Sequence, residues 1–381
     1  MEDAMQKKLF EKMGIEVSRL GFGCMRFPTR ADGKIDREKA LEMIDYAYQH
    51  GVNYFDTAYR YHGGESEEFV KEALSRYPRE SYNLATKFPV GFMPEVSEAA
   101  VDKIFDEQLE KTGAGYFDFY LVHGLNAGTF KRMKDLKVLD KLEKRKAAGQ
   151  IRHIGFSFHD SPEVLQEIVD YYDGWEFTQI QLNYLDWDYQ NAKAQYEILT
   201  KKGIPVIVME PVRGGALADL CPEANAVLKE SRPDDSIASW AMRYCASLPN
   251  VHVILSGMST MEQVEDNVHT FEHFEAFTED DYKRVAQALK IREQIRTIPC
   301  TACRYCVEYC PQKIDIPNVF AMYNRYMYTG SSYAFNEEVQ KAKDGPLPGD
   351  CIACGACAEH CPQMIDSPGR MTEIDQAIQS L

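Results

Sequence analysis

"FDTAYRYHGGESEEFVKEAL", residues 55–74, is the stretch whose reading decides the fold. Read with the residues before it, "VNYFDTA" is a short apolar run rich in strand formers, and it stops at Asp56. A turn with two glycines follows. Then "SEEFVKEALSRY" sets Phe69, Val70, Ala73 and Leu74 at helical spacing. The stretch is one strand–turn–helix unit, and the question is how often the unit recurs.

Working outward, it recurs in both directions. Upstream lie "VSRLGFGCM" and "DREKALEMIDYAYQHG", whose terminal Gly51 is a good helix stop. Downstream, "YNLATKF" pairs with "SEAAVDKIFDEQLEKTG", and "YFDFYLVHG" with "MKDLKVLDKLEKRKAAG". "IRHIGFSFH" pairs with "SPEVLQEIVDYY", and "FTQIQLNYL" with "QNAKAQYEILTKKG". "PVIVMEP" with "SIASWAMRYCASL" and "VHVILSGM" with "TMEQVEDNVHTF" complete the series. Eight strand–helix units between residue 16 and about residue 270 predict an α/β fold, a (β/α)8 TIM barrel. A doubly wound open sheet would want a glycine-rich phosphate fingerprint after its first strand, and "GFGCMR" is a poor one.

A further helix is expected over 277–295, and the chain then changes character, becoming rich in Cys, Tyr and Pro. This predicts two domains, 1–295 and 296–381. The 381 residues are 45% hydrophobic, enough to bury large cores. A formal charge of −16 argues against nucleic acid as a partner. No apolar run approaches the roughly 20 residues of a membrane span, and the charged start "MEDAMQKKLFEKMG" has no apolar signal core. A cytoplasmic protein without a membrane partner is expected. Cys24, Cys221 and Cys245, scattered through the barrel region, read as small buried hydrophobes.

Active sites of such barrels collect at the C-terminal ends of the strands. The second strand ends in Asp56 with Tyr61 just beyond; the third ends near Lys87 and the fourth near His123. Together these groups suit a carbonyl oxygen that must receive a proton. Lys87 beside Tyr61 is expected to lower the tyrosine's pKa, with Asp56 holding the lysine charged.

With those residues in place, "FDTAYRYHGGESEEFVKEAL", "LATKF", "YLVHGL", "IRHIGFSFH" and "ILSGMSTMEQVEDN" make residues 7–272 resemble the aldo–keto reductase family. The resemblance implies a catalytic set of Asp56, Tyr61, Lys87 and His123, with Tyr61 the general acid. It implies NAD(P)H as cofactor and a small-molecule carbonyl or alcohol as substrate. Ser157 and Gln181 (with Gln179 pointing the same way) would hold the nicotinamide carboxamide, and Met209 stands where an aromatic often stacks. Pro211, Arg213, Gly214 and Gly215 would run along the pyrophosphate. Gly257, Ser259, Gln263, Asp266 and Asn267 would meet the adenosine end. The sequence departs from the family at Phe158, Met209 and Gly257. It also lacks the cation that commonly binds the 2′-phosphate of NADP, which weakens the case for NADP and leaves NAD and NADP both open; a flavin is the alternative, and no residue asks for it.

Eight of the eleven cysteines lie in "CTACRYCVEYCP", 300–311, and "CIACGACAEHCP", 351–362. Both read C-x2-C-x2-C-x3-C-P, the spacing of iron–sulfur ligands. Disulfides are disfavoured in the cytosol, and zinc prefers paired C-x2-C units with longer gaps. The segment 296–366 resembles bacterial two-cluster ferredoxins. The resemblance implies a small ferredoxin-like iron–sulfur domain with two 4Fe–4S clusters, one on Cys300, Cys303, Cys306 and Cys361, the other on Cys351, Cys354, Cys357 and Cys310. The insert between the motifs is longer than in compact ferredoxins, and would cover the clusters or dock on the barrel.

Clusters move single electrons and nicotinamide moves two. Three readings follow: a carbonyl reductase or alcohol dehydrogenase whose clusters support the fold or serve a redox partner protein; a stepwise reductase fed by a ferredoxin; or a cofactor-sensing subunit. The complete set of four strand-end residues argues against the third, and the first is the reading adopted.

Overall fold

The computed structural model describes residues 4–380. A hairpin opens the chain: β1 (Lys7–Phe10) pairs antiparallel with β2 (Ile15–Ser18). Eight parallel strands then close into a barrel. They are β3 (Leu20–Gly23), β4 (Tyr54–Asp56), β5 (Asn83–Phe88), β6 (Phe117–Leu125), β7 (Ile151–Phe158), β8 (Phe177–Gln181), β9 (Val206–Met209) and β10 (Val251–Ser256). Each strand pairs with the next in chain order, and β10 closes on β3. This is the expected (β/α)8 barrel. One detail differs: "VSRLGFGCM" is not a single strand. It breaks at Arg19, giving its first residues to the hairpin and the rest to the barrel.

The hairpin closes one end. Phe10 packs among Tyr54, Phe119, Phe177, Ile207 and Val253, and Tyr54 and Phe177 are the first residues of their strands. Burying each such side chain contributes about 1.5–3 kcal/mol. The N-terminal end of the barrel is therefore filled with rings, which leaves chemistry to the opposite end.

The chain forms two compact units: Met1–Pro211 with Ser239–Thr278, and Val212–Ala238 with Glu279–Leu381. The boundary expected at 296 is thus not where packing divides the chain. Helix Glu279–Arg292 lies against helix Pro222–Lys229, so both belong to the second unit. The insert between the cysteine motifs folds as helices Ile316–Thr329 and Ser332–Ala342. Their Val319, Phe320, Phe335 and Val339 form the second unit's core with Ile298, Ile365 and Ile374. The insert supplies the apolar mass that two cysteine loops lack.

Candidate functional site

Lys87 is the centre of the strand-end set. Its side chain is buried, and Nζ donates to Asp56 Oδ1 at 2.5 Å, to Thr57 O at 2.8 Å and to Tyr61 OH at 3.2 Å. Asp56 is the last residue of β4 and Lys87 the last but one of β5. Tyr61 enters from the tight turn Tyr61–Gly64, where His62, Gly63 and Gly64 all have positive φ. Two glycines make three left-handed residues in a row affordable. His123 lies on β6 where its pairing with β7 slips between Val122 and Leu125, an irregularity that re-aims a side chain. Its ring stands edge-on to Tyr61 at 6.1 Å between centroids.

The electrostatics correct one expectation. Tyr61 is held well above the ordinary tyrosine value, first by burial and then by the charges of Asp56, Cys24 and Glu210. Burial outweighs the lowering expected from Lys87, whose charge is shared with Asp56. Tyr61 is therefore a protonated donor in the free protein. His123 is pushed well below the usual histidine range by burial, then by Lys87, His159 and Arg60. It is neutral, and its Nδ1 is buried with no hydrogen-bond partner among the described residues.

This sets a pH dependence. Unfolded, His123 takes a proton as pH falls through 6.5; folded, it does not until far lower. The stability it allows is present above pH 6.5 and is lost as pH falls below it. His123→Gln is expected to flatten the drop in Tm between pH 8 and pH 5, measured by thermal unfolding. An unchanged slope would refute the neutral assignment.

Behind Lys87 lies a network that sequence reasoning missed. Glu67 is fully buried and accepts from Thr86 Oγ1 at 2.7 Å and Gln108 Nε2 at 2.6 Å. Gln108 Nε2 also donates to Lys87 O at 3.1 Å, and Tyr120 OH donates to Gln108 Oε1 at 2.6 Å. Burial raises the Glu67 carboxyl, and these hydrogen bonds oppose that. The signal was present: Glu67 shares a helix face with Val70 and Leu74, at i, i+3 and i+7.

The expected cofactor residues divide. Ser157 is buried, accepts from Gly124 N at 2.8 Å, and lies opposite Gln179 in register. Gln181 donates to Asp186 Oδ2 at 2.8 Å, an oxygen shared with Asn183 Nδ2. Gln179 instead has a buried Oε1 with no partner among the described residues, and its Nε2 lies 3.6 Å from Met209 Sδ. The available acceptor is on Gln179 rather than Gln181. Beyond Met209, Glu210 pairs with Arg26 at 3.1 Å, and Pro211 is buried. The stem of Arg26 lies over Gly257, 2.9 Å from where a Cβ would sit. Ser259 Oγ donates to Arg26 O at 2.7 Å, and Ser259 N to Gln263 Oε1 at 2.8 Å. Asn267 is buried and donates to Ser256 Oγ at 2.9 Å.

Arg213 and Gly214 part from the expectation. They belong to the second unit. The Arg213 guanidinium is 1% exposed and donates to Pro299 O at 3.1 Å and Gln363 Oε1 at 3.2 Å. A Cβ on Gly214 would lie 2.1 Å from Thr301 O. Both residues are engaged by the cysteine loops rather than presented to a pyrophosphate.

The eight motif cysteines surround two cavities. One is lined by Cys300, Cys303, Cys306 and Cys361; the other by Cys310, Cys351, Cys354 and Cys357. The last cysteine of each motif thus crosses to the other motif's cavity. The backbone bends tightly around the sulfurs, with Ala302, Arg304 and Ala353 all at positive φ, and Ala302 N donates to Cys300 Sγ at 3.3 Å. Four sulfur donors around one cavity suit a 4Fe–4S cube. Cys24, Cys221 and Cys245 are buried away from these motifs in sequence.

Comparison with known proteins places this geometry. Residues 19–290 match the model of the Aldo/keto reductase family, and residues 299–365 that of a 4Fe-4S dicluster domain. The chain is 25% identical over 314 residues to an uncharacterized oxidoreductase, YqkF, of Bacillus subtilis (strain 168), covering 75% of this chain and 97% of the relative. It is 28% identical over 301 residues to the NADH-specific methylglyoxal reductase of Escherichia coli (strain K12), covering 67% and 90%. Among solved structures, the holo form of aldo-keto reductase AKR11C1 from Bacillus halodurans superposes with a TM-score of 0.61 at 27% identity, over 74% of this chain and 96% of that one. The eight-stranded barrel and the match across most of its length agree: this chain belongs to the aldo/keto reductase family, as an oxidoreductase that carries a 4Fe-4S dicluster domain after the barrel.

Proposed function

We propose that the chain interconverts a small-molecule carbonyl and its alcohol using a nicotinamide dinucleotide, NADH in preference to NADPH, with Tyr61 moving the proton. The observation that carries this reading is Lys87 Nζ held among Asp56, Thr57 O and the Tyr61 hydroxyl. A reduced nicotinamide, when bound, supplies the hydride to the carbonyl carbon. Tyr61, kept protonated, gives its proton to the substrate oxygen as charge develops there. The phenolate left behind lies 3.2 Å from Lys87 Nζ, whose charge stabilises it. Asp56 and Thr57 O fix the lysine so that this stabilisation needs no rearrangement. His123, neutral, orients the same oxygen by hydrogen bonding. Alcohol oxidation runs through the same groups in reverse.

The nicotinamide end fits the chain's own residues. The unpartnered Gln179 Oε1 suits a carboxamide N–H, Ser157 stands beside it, and Met209 offers a polarizable thioether against a ring face. The clusters belong to the second unit as one-electron centres, on the two sets of four cysteines.

The preference for NADH has its own support. Residues 257–267 contain no Lys or Arg but do contain Glu262, Glu265 and Asp266. The segment itself offers a 2′-phosphate no cationic partner, and the neighbouring Arg26 is paired with Glu210. In anaerobic assays of nicotinamide oxidation against a panel of aldehydes and ketones, NADH should exceed NADPH by about tenfold or more in kcat/KM, or about 1.4 kcal/mol. A preference for NADPH would overturn the cofactor choice. No carbonyl-dependent oxidation with either nucleotide would overturn the reaction.

A further inference from the structure

We infer that Arg213 holds the cluster of Cys300, Cys303, Cys306 and Cys361 at a higher reduction potential than its neighbour, so that an electron entering the second unit settles there. The inference rests on the two-cluster reading of the cysteine cavities, which iron and sulfide content tests separately.

Arg213 grips the rim of one cavity. NH1 donates to Pro299 O at 3.1 Å, and Pro299 directly precedes Cys300. NH2 donates to Gln363 Oε1 at 3.2 Å, and Gln363 stands two residues past Cys361. One guanidinium thus ties together the two segments that carry the first and last of the four sulfurs. Gln363 and Thr301 are both buried and both line that cavity. Gly214, at φ +63 and with 2.1 Å between its missing Cβ and Thr301 O, lets the backbone close on the same rim; no larger residue fits.

The other cavity has a different wall. Besides its cysteines it is lined by Pro311, Ile314, Ile352, Pro368 and Met371, with no charged side chain among the described lining residues. Arg304 also lines the first cavity, but it is exposed and pairs with Asp315 at 3.1 Å. Arg213 is the cation at this rim that is shut away from water.

Physics gives the sign. Reduction adds one negative charge to a cluster already carrying thiolate charge. Net charge, hydrogen bonding and exposure set the potential. A cation in a low-dielectric setting stabilises the reduced form, and an apolar wall does not. The exposed Cys354 admits water to the second cavity and narrows the gap without supplying a cation. Arg213 acts through Gln363 and the Cys300 loop, so it is a positioning residue for this cluster. With a one-electron donor, the donor is oxidised and the cluster of Cys300 is the first to be reduced.

The test is an anaerobic redox titration followed by EPR on the full-length holoprotein. The native protein should give two one-electron waves. In Arg213→Gln the higher wave should move down, its oxidised-to-reduced ratio at a fixed potential rising about tenfold, which is 59 mV for one electron. The lower wave should stay in place, and Arg213→Lys should restore most of the shift. If Arg213→Gln does not fold, Gln363→Glu places a negative charge on the same wall and should also lower the higher wave. A purely structural arginine would change iron content and leave the midpoint where it was. Full iron with both waves unmoved, or movement of the lower wave alone, overturns the inference. Fewer than two clusters in the native protein overturns the reading beneath it instead.

Discussion

Tyr61→Phe is expected to lower kcat for carbonyl reduction by about 10²- to 10⁴-fold, the usual contribution of a positioned general acid. The ring stays and only the hydroxyl leaves, so packing against His123 is kept and nucleotide affinity should change little. A fall in kcat with an unchanged Kd for NADH, measured by fluorescence titration, separates lost proton transfer from a damaged fold. Activity within about threefold of the native enzyme would remove Tyr61 from the mechanism. Lys87→Met should look different. It also abolishes turnover, but it leaves Asp56 buried without its cation, and breaking such a pair costs about 3–5 kcal/mol. A large drop in Tm is expected there and not in Tyr61→Phe.

Stripping iron with a chelator under anaerobic conditions is expected to unfold the second unit. Cys300, Cys306, Cys310, Cys351 and Cys361 pack directly against its apolar core, of which Cys357 is a member. Without metal, four thiols must face one another across an empty space in each half of a small core. Helices Ile316–Thr329, Ser332–Ala342 and Ser367–Gln379 should lose their circular dichroism signal, and limited proteolysis should cut within 296–381 first. The barrel strands, closed by their own hydrogen bonds, should persist. Helical signal and protease resistance that survive complete iron loss would show that the unit folds on its apolar core alone.

Much of this was legible in the sequence because the signals were local. Asp56, Lys87 and His123 each end an apolar run, and the barrel rule alone places such residues at one rim. The crossed cysteine sets followed from the resemblance to two-cluster ferredoxins, which the repeated motif carries. Other features depend on contacts distant in sequence. "EPVRGGAL" reads as a loop for an anion, and nothing nearby reveals that Arg213 is taken by Pro299 and Gln363, the latter 150 residues away. Gln181 and Gln179 point the same way on one strand, and it takes the bond that Gln181 donates to Asp186 to distinguish them. The Tyr61 shift went against expectation because a sequence shows the lysine neighbour but not the burial that outweighs it. The break at Arg19 was hidden because hairpin and barrel strand share one continuous apolar pattern.

The second unit is drawn from two stretches of chain, 212–238 and 279–381, with the last barrel strand encoded between them. A gene cut after residue 295 would therefore divide the second unit, leaving Arg213 and Gly214 without Pro299, Thr301 and Gln363. The fragment from 296 onward would not be a portable ferredoxin, since it would arrive without Arg213 and Gly214. The loop after the seventh barrel strand is thus part of the cysteine unit's packing, and a single splice point would separate the two.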